Sequence, residues 1–129
     1  MAGVNDRPDG IIELALEAFD LDAMVAFYEE LGLEVVGREP GRVWLAAGPN
    51  ARLGIWSSGE KEHRDQGGMH VHFALGIGTE ALDATIGRLR EAGQEFEGPV
   101  ARDDGDRSIY LFDPEGNRVE FWDVVDAKR

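Results

Sequence analysis

Ser108-Ile109-Tyr110-Leu111-Phe112-Asp113-Pro114-Glu115-Gly116-Asn117-Arg118-Val119-Glu120-Phe121-Trp122-Asp123 reads as a strand, a tight turn and a second strand. The turn has a physical basis at each position. Pro114 presets φ, Gly116 and Asn117 tolerate positive φ, and the Asp113 carboxylate is placed to accept from nearby backbone amides. In the strand that follows, Arg118, Glu120 and Trp122 share one face while Val119 and Phe121 share the other, because side chains alternate with period two. One carboxylate, Glu120, therefore stands in an otherwise apolar-alternating strand and looks either into a cavity or into water.

The whole chain folds onto itself in two halves. The first opens with Ile11-Ile12-Glu13-Leu14-Ala15-Leu16-Glu17-Ala18, a half-buried strand with Leu14, Leu16 and Ala18 on the core face and Glu13, Ala15 and Glu17 opposite. Asp20 then caps a helix running to about Leu31, with Met24, Phe27, Tyr28 and Leu31 as its apolar stripe and Gly32 suited to the position after the C-cap. The second half repeats this with a strand from Met69 to Leu75, Thr79 as cap, Leu82, Ile86 and Leu89 as stripe, and Gly93 as stop. Three short strands follow each helix: Glu34–Gly37, Arg42–Ala47 and Arg52–Trp56, then Glu95–Pro99, Arg107–Phe112 and Asn117–Val124.

The expectation is an α+β fold of two βαβββ modules forming a curved mixed sheet or half-barrel around a concave site. Its parts are a flexible N-terminus over 1–10, a first module at about 11–57, a linker at about 58–68, a second module at about 69–125 and a tail at 126–129. Laying Arg52-Leu53-Gly54-Ile55-Trp56 on Arg118-Val119-Glu120-Phe121-Trp122 matches arginine with arginine and tryptophan with tryptophan, and puts Gly54 where Glu120 stands.

Composition narrows the function. A length of 129 residues and 43% hydrophobic content suit one packed domain. Twenty-six acidic against 13 basic residues give a net charge of −13, which opposes nucleic-acid phosphates and anionic lipid. No apolar run approaches the roughly 18 residues of a membrane span. With a polar start and no cysteine, a cytoplasmic address is expected, and disulfides, thiolate metal sites and thiol nucleophiles are excluded. No G-x-S-x-G elbow, phosphate loop, dinucleotide fingerprint or H-E-x-x-H helix occurs. Asp103-Asp104-Gly105-Asp106 reads as a solvated loop without the ordered ligands of a calcium site.

The closing hairpin resembles that of the vicinal-oxygen-chelate superfamily, which includes glyoxalase I, extradiol dioxygenases, fosfomycin-modifying enzymes and bleomycin-resistance proteins. Two further stretches are similar to family landmarks, the strand-to-helix junction from Phe19 to Leu33 and the central strand from Met69 to Leu75. In metal-binding members the Glu of a D-P-x-G-N-x-x-E stretch is a ligand, which here is Glu120. The resemblance implies a site built from the first and last strands of both modules, at Glu13, Gly54, His70 and Glu120. Glycine has no donor. Glu13, His70 and Glu120 then form a carboxylate–imidazole–carboxylate set suited to Zn²⁺, Mn²⁺, Fe²⁺ or Ni²⁺. Without a metal, Glu13 and Glu120 would share a concavity as like charges, which raises a carboxyl pKa or demands a cationic partner.

His72 lies two residues from His70 and so faces the same side of its strand, while His63 falls in the linker. Trp44, Trp56, Tyr110, Phe112 and Trp122 sit on strands that line the expected concavity, as stacking surfaces for a ligand or as filling for core and subunit interface.

Two functions follow from the resemblance. One is a small metal-dependent enzyme, a lyase, isomerase or dioxygenase, that chelates a small oxygen-rich substrate and stabilises its developing negative charge, with Glu13 or Glu120 as general base. The other is a metal-free binding protein, similar to the bleomycin-resistance members, that sequesters a small, cationic aromatic ligand. A homodimer is expected in either case.

Overall fold

The structure is a computed structural model that describes residues 10–57, 71–102 and 105–123. The expected linker with His63, and His70, lie outside the described residues. The element order is β1 (Glu13–Glu17), α1 (Leu21–Glu30), β2 (Val35–Glu39), β3 (Arg42–Ala46), β4 (Arg52–Trp56), β5 (His72–Gly76), α2 (Thr79–Glu91), β6 (Glu97–Ala101), β7 (Arg107–Phe112) and β8 (Arg118–Trp122). This is βαβββ stated twice.

The strands form two four-stranded mixed sheets, ordered β1-β4-β3-β2 and β5-β8-β7-β6. In each, the first strand runs parallel to the last, and the other pairs are antiparallel. The registers establish the internal repeat residue by residue. Glu13 pairs with Arg52 and His72 with Arg118, while Trp44 pairs with Gly54 and Tyr110 with Glu120. The residue of β5 that repeats Glu13 is thus His72.

Alternation decides which face each strand buries. Leu16, Val43, Leu45, Leu53 and Ile55 of the first sheet, and Ile109, Leu111, Val119 and Phe121 of the second, join Met24, Val25, Tyr28, Leu31, Leu82, Ile86 and Leu89 of the helices in one core. Both helices stop as their glycines require. Gly32 adopts φ 102° and Gly93 φ 70°, and the amides of Gly32 and Leu33 reach back to Glu29 and Tyr28, as those of Gly93 and Gln94 do to Arg90 and Leu89. These are Schellman closures.

The start of α1 follows expectation, with Asp20 Oδ1 accepting from the Ala23 amide at 3.0 Å. That of α2 differs. Its N-cap is Gly78, which offers no side-chain cap, and Thr79 is the first helical residue. The Gly78 carbonyl accepts from Leu82 at 2.8 Å, so the helix begins on backbone bonding one residue early. Strand β6 begins at Glu97, two residues later than expected, and its register against β7 shifts between Glu97 and Val100. Every residue of β6 is exposed, as suits an edge strand containing proline.

The turn between β7 and β8 ties the modules together. Asp113 Oδ1 accepts from the amides of Glu115 and Asn117 at 2.9 Å each, and Oδ2 accepts from Asn117 Nδ2 at 2.8 Å and from the Tyr28 hydroxyl of α1 at 2.6 Å. Glu115 Oε2 accepts from the amides of Phe19 and Asp20 at 3.1 and 3.3 Å. Burial and the adjoining Asp113 carboxylate hold the Tyr28 phenol well above its ordinary pKa, so it stays a donor. Tyr28→Phe removes a charge-assisted bond to a buried carboxylate and is expected to cost about 1.5–3 kcal/mol, measured by urea unfolding. An unchanged midpoint would show that this bond does not join the modules.

Candidate functional site

Glu120 is directed by the β8 alternation to the face away from the helices, yet its side chain is only 7% exposed. A buried carboxylate needs partners, and three elements supply them. Ser108 Oγ of β7 donates to Oε2 at 2.8 Å, and Arg102 Nη1, just beyond β6, lies 2.8 Å from the same oxygen. His72 Nε2 of β5 lies 3.2 Å from Oε1. Both carboxylate oxygens are therefore engaged. Arg102 Nη1 also donates to the Tyr110 hydroxyl at 3.1 Å, and its guanidinium lies over the Trp122 ring at 4.2 Å. Trp122 Nε1 in turn donates to Asp106 Oδ2 at 3.0 Å. Asp106, expected in a solvated loop, is buried. Arg118 covers Tyr110 at 4.6 Å and Phe112 at 5.6 Å.

The corresponding face of the first sheet is built differently. Glu13 Oε1 accepts from Arg52 Nε at 2.5 Å, and Arg52 stands over Trp44 at 5.4 Å. At Gly54, the counterpart of Glu120, a Cβ would lie 2.1 Å from Cζ3 of Trp56. The Trp56 indole is thus folded over the backbone, edge-on to Trp44 at 5.9 Å between centroids. An aromatic surface occupies the place a fourth donor would take.

Of the residues expected at a metal site, Glu120 is joined by His72, whose position repeats Glu13. Glu13 stands on the other sheet with its own arginine. Among the described residues, no three His, Asp or Glu side chains are grouped to hold a metal ion. Among the described residues, the donors around Glu120 do not by themselves fit a divalent ion. Glu120 already carries a cation, and bringing a second charge to about 4 Å of it costs about 4 kcal/mol per unit charge at an effective dielectric of 20. Of the aromatic candidates, Trp122 and Tyr110 touch the Glu120 cluster, Trp44 and Trp56 form the surface over Gly54, and Phe112 is 50% exposed. Sequence reasoning missed Arg102 and Ser108. A cationic partner was one of two ways to accommodate Glu13 and Glu120 as like charges, with no residue named for it, and Ser108 is the small polar residue across from Trp122.

The chain belongs to the Glyoxalase/Bleomycin resistance protein/Dioxygenase superfamily, whose family model matches residues 10–121. It is 34% identical over 122 residues to the uncharacterized protein PA2024 of Pseudomonas aeruginosa, covering 86% of each chain. Among solved structures it is similar to a lactoylglutathione lyase from Agrobacterium tumefaciens, with TM-score 0.74, 29% identity, and coverage of 91% of this chain and 95% of that one. It is also similar to a glyoxalase/bleomycin resistance protein/dioxygenase from Nocardioides, with TM-score 0.72, 27% identity, and coverage of 95% and 87%. The superfamily includes both metal-dependent enzymes and binding proteins.

Gly54→Ala places a methyl group where the Trp56 indole lies. The ring must swing out, at a cost of about 1–3 kcal/mol for the overpacking. Altered tryptophan emission together with a lowered thermal midpoint is expected, and unchanged values of both would show that the indole is not seated on Gly54.

Proposed function

We propose that the protein is a metal-free small-molecule binding protein of its superfamily, acting in the cytoplasm as a homodimer. The observation that carries this reading is the state of Glu120: both of its oxygens are bonded and one of them is paired with Arg102. An arginine supplies the positive charge that a metal ion would otherwise bring, and the Trp56 indole over Gly54 supports the same reading. What the face around Glu120 then offers a ligand is stacking and hydrogen bonding from Tyr110, Trp122, Arg102 and His72. The homodimer rests on the superfamily, whose members often dimerise.

The metal-dependent reading, with Glu13, His70 and Glu120 as ligands and a lyase, isomerase or dioxygenase reaction, draws support from the likeness to the lactoylglutathione lyase. It requires Arg102 to leave Glu120 and Glu13 to leave Arg52.

Calorimetric titration of metal-stripped protein with Mn²⁺, Ni²⁺, Zn²⁺ and, anaerobically, Fe²⁺ separates the two. The expected result is no one-to-one binding in the micromolar range. Stoichiometric binding that Glu120→Gln abolishes would overturn the metal-free reading.

A further inference from the structure

Arg102 is held in place before any ligand arrives. Its backbone amide donates to the Asp106 carbonyl at 2.6 Å, its guanidinium lies on Trp122 at 4.2 Å, and among the described residues Nη1 makes all of its side-chain bonds, to Glu120, Tyr110 and Ser108. An arginine has five N–H donors in a rigid plane, two of them on Nη1. The remaining three, on Nε and Nη2, have no acceptor among the described residues, and the side chain is 34% exposed. That edge, unpartnered among the described residues, is the fork that matches a carboxylate with two parallel hydrogen bonds.

We propose that the ligand is a planar organic acid whose carboxylate is held by the Nε/Nη2 edge of Arg102; this rests on the metal-free reading above. Glu120 is the acid that would attract a cation, but it is buried and its oxygens are engaged. The cations beside these aromatic rings are Arg102, over Trp122, and Arg118, over Tyr110 and Phe112. Arg118 pairs with Glu97 at 3.3 Å, but Glu97 is 66% exposed and such a pair is weak. The net charge of −13 opposes an anion at a distance, yet screening over about 8 Å at physiological salt leaves the adjoining guanidinium in control at contact. Tyr110 and Phe112 offer flat surface for a ring, and the hollow of about 440 Å³ that they border is lined also by Phe96, Glu95 and Glu97 and not by Arg102, so the carboxylate belongs at Arg102 outside that hollow.

The test uses three ligands with one ring and different charge, namely benzoate, benzamide and benzamidine. Each is titrated into ¹⁵N-labelled protein while the arginine Nε–H and tryptophan indole N–H resonances are followed, with and without Mn²⁺. Without metal, benzoate is expected to shift these resonances saturably, benzamide to bind at least tenfold more weakly and benzamidine more weakly still. Arg102→Lys, which keeps the charge and loses the fork, is expected to weaken benzoate at least tenfold while leaving benzamide unchanged.

Benzamidine binding as tightly as benzoate would overturn the ligand class and leave the metal-free reading standing. So would benzoate binding that is unchanged in Arg102→Lys. Benzoate binding only when Mn²⁺ is present would overturn both, and no binding of any of the three would overturn the proposal.

Discussion

A carboxylate placed by strand alternation in a nearly dry position is the constraint around which this molecule is arranged. Left alone, Glu120 would lose its hydration without compensation, a cost large enough to neutralise it or unfold the strand. Ser108 sits on the neighbouring strand at hydrogen-bonding range, His72 on the parallel strand opposite, and Arg102 comes across from the edge. Because Arg102 is stacked on Trp122, and Trp122 is bonded to Asp106, the same carboxylate organises both sides of the β6–β7 connection. One buried charge thus fixes the composition of a whole face.

The duplicated module provides its own comparison. Backbone register is shared, with arginine and tryptophan at matching places on β4 and β8. The residue between them is glycine in one and glutamate in the other. Where it is glycine, the indole of Trp56 falls inward and closes the space. Where it is glutamate, the acid recruits an arginine and Trp122 supports that arginine instead. A single side-chain difference converts an aromatic floor into a charged, hydrogen-bonded one.

Much of this was legible in the chain itself. The Asp113–Asn117 turn, the alternation of β8 and the order of ten elements all follow from local rules that tertiary packing reinforces. Tyr28 was legible only as part of an apolar stripe. Its hydroxyl partner is Asp113, 85 residues away, and period alone carries no information about so distant an acceptor. The partner of Glu120 was hidden for a related reason: Arg102 precedes an acidic run and looks solvated, and only the bulged return of β6 brings it back over the sheet. The equivalence of His72 with Glu13 depends on strand register, which two histidines on the same face of one strand leave undecided.

The central claim is that the positive charge at Glu120 belongs to the protein. A crystal structure of protein grown with excess MnCl₂, with anomalous scattering recorded for manganese, tests it directly. The account predicts Arg102 Nη1 on Glu120 at hydrogen-bonding distance and no manganese peak beside the carboxylate. A manganese ion bound to Glu120, with Arg102 turned away, would contradict it.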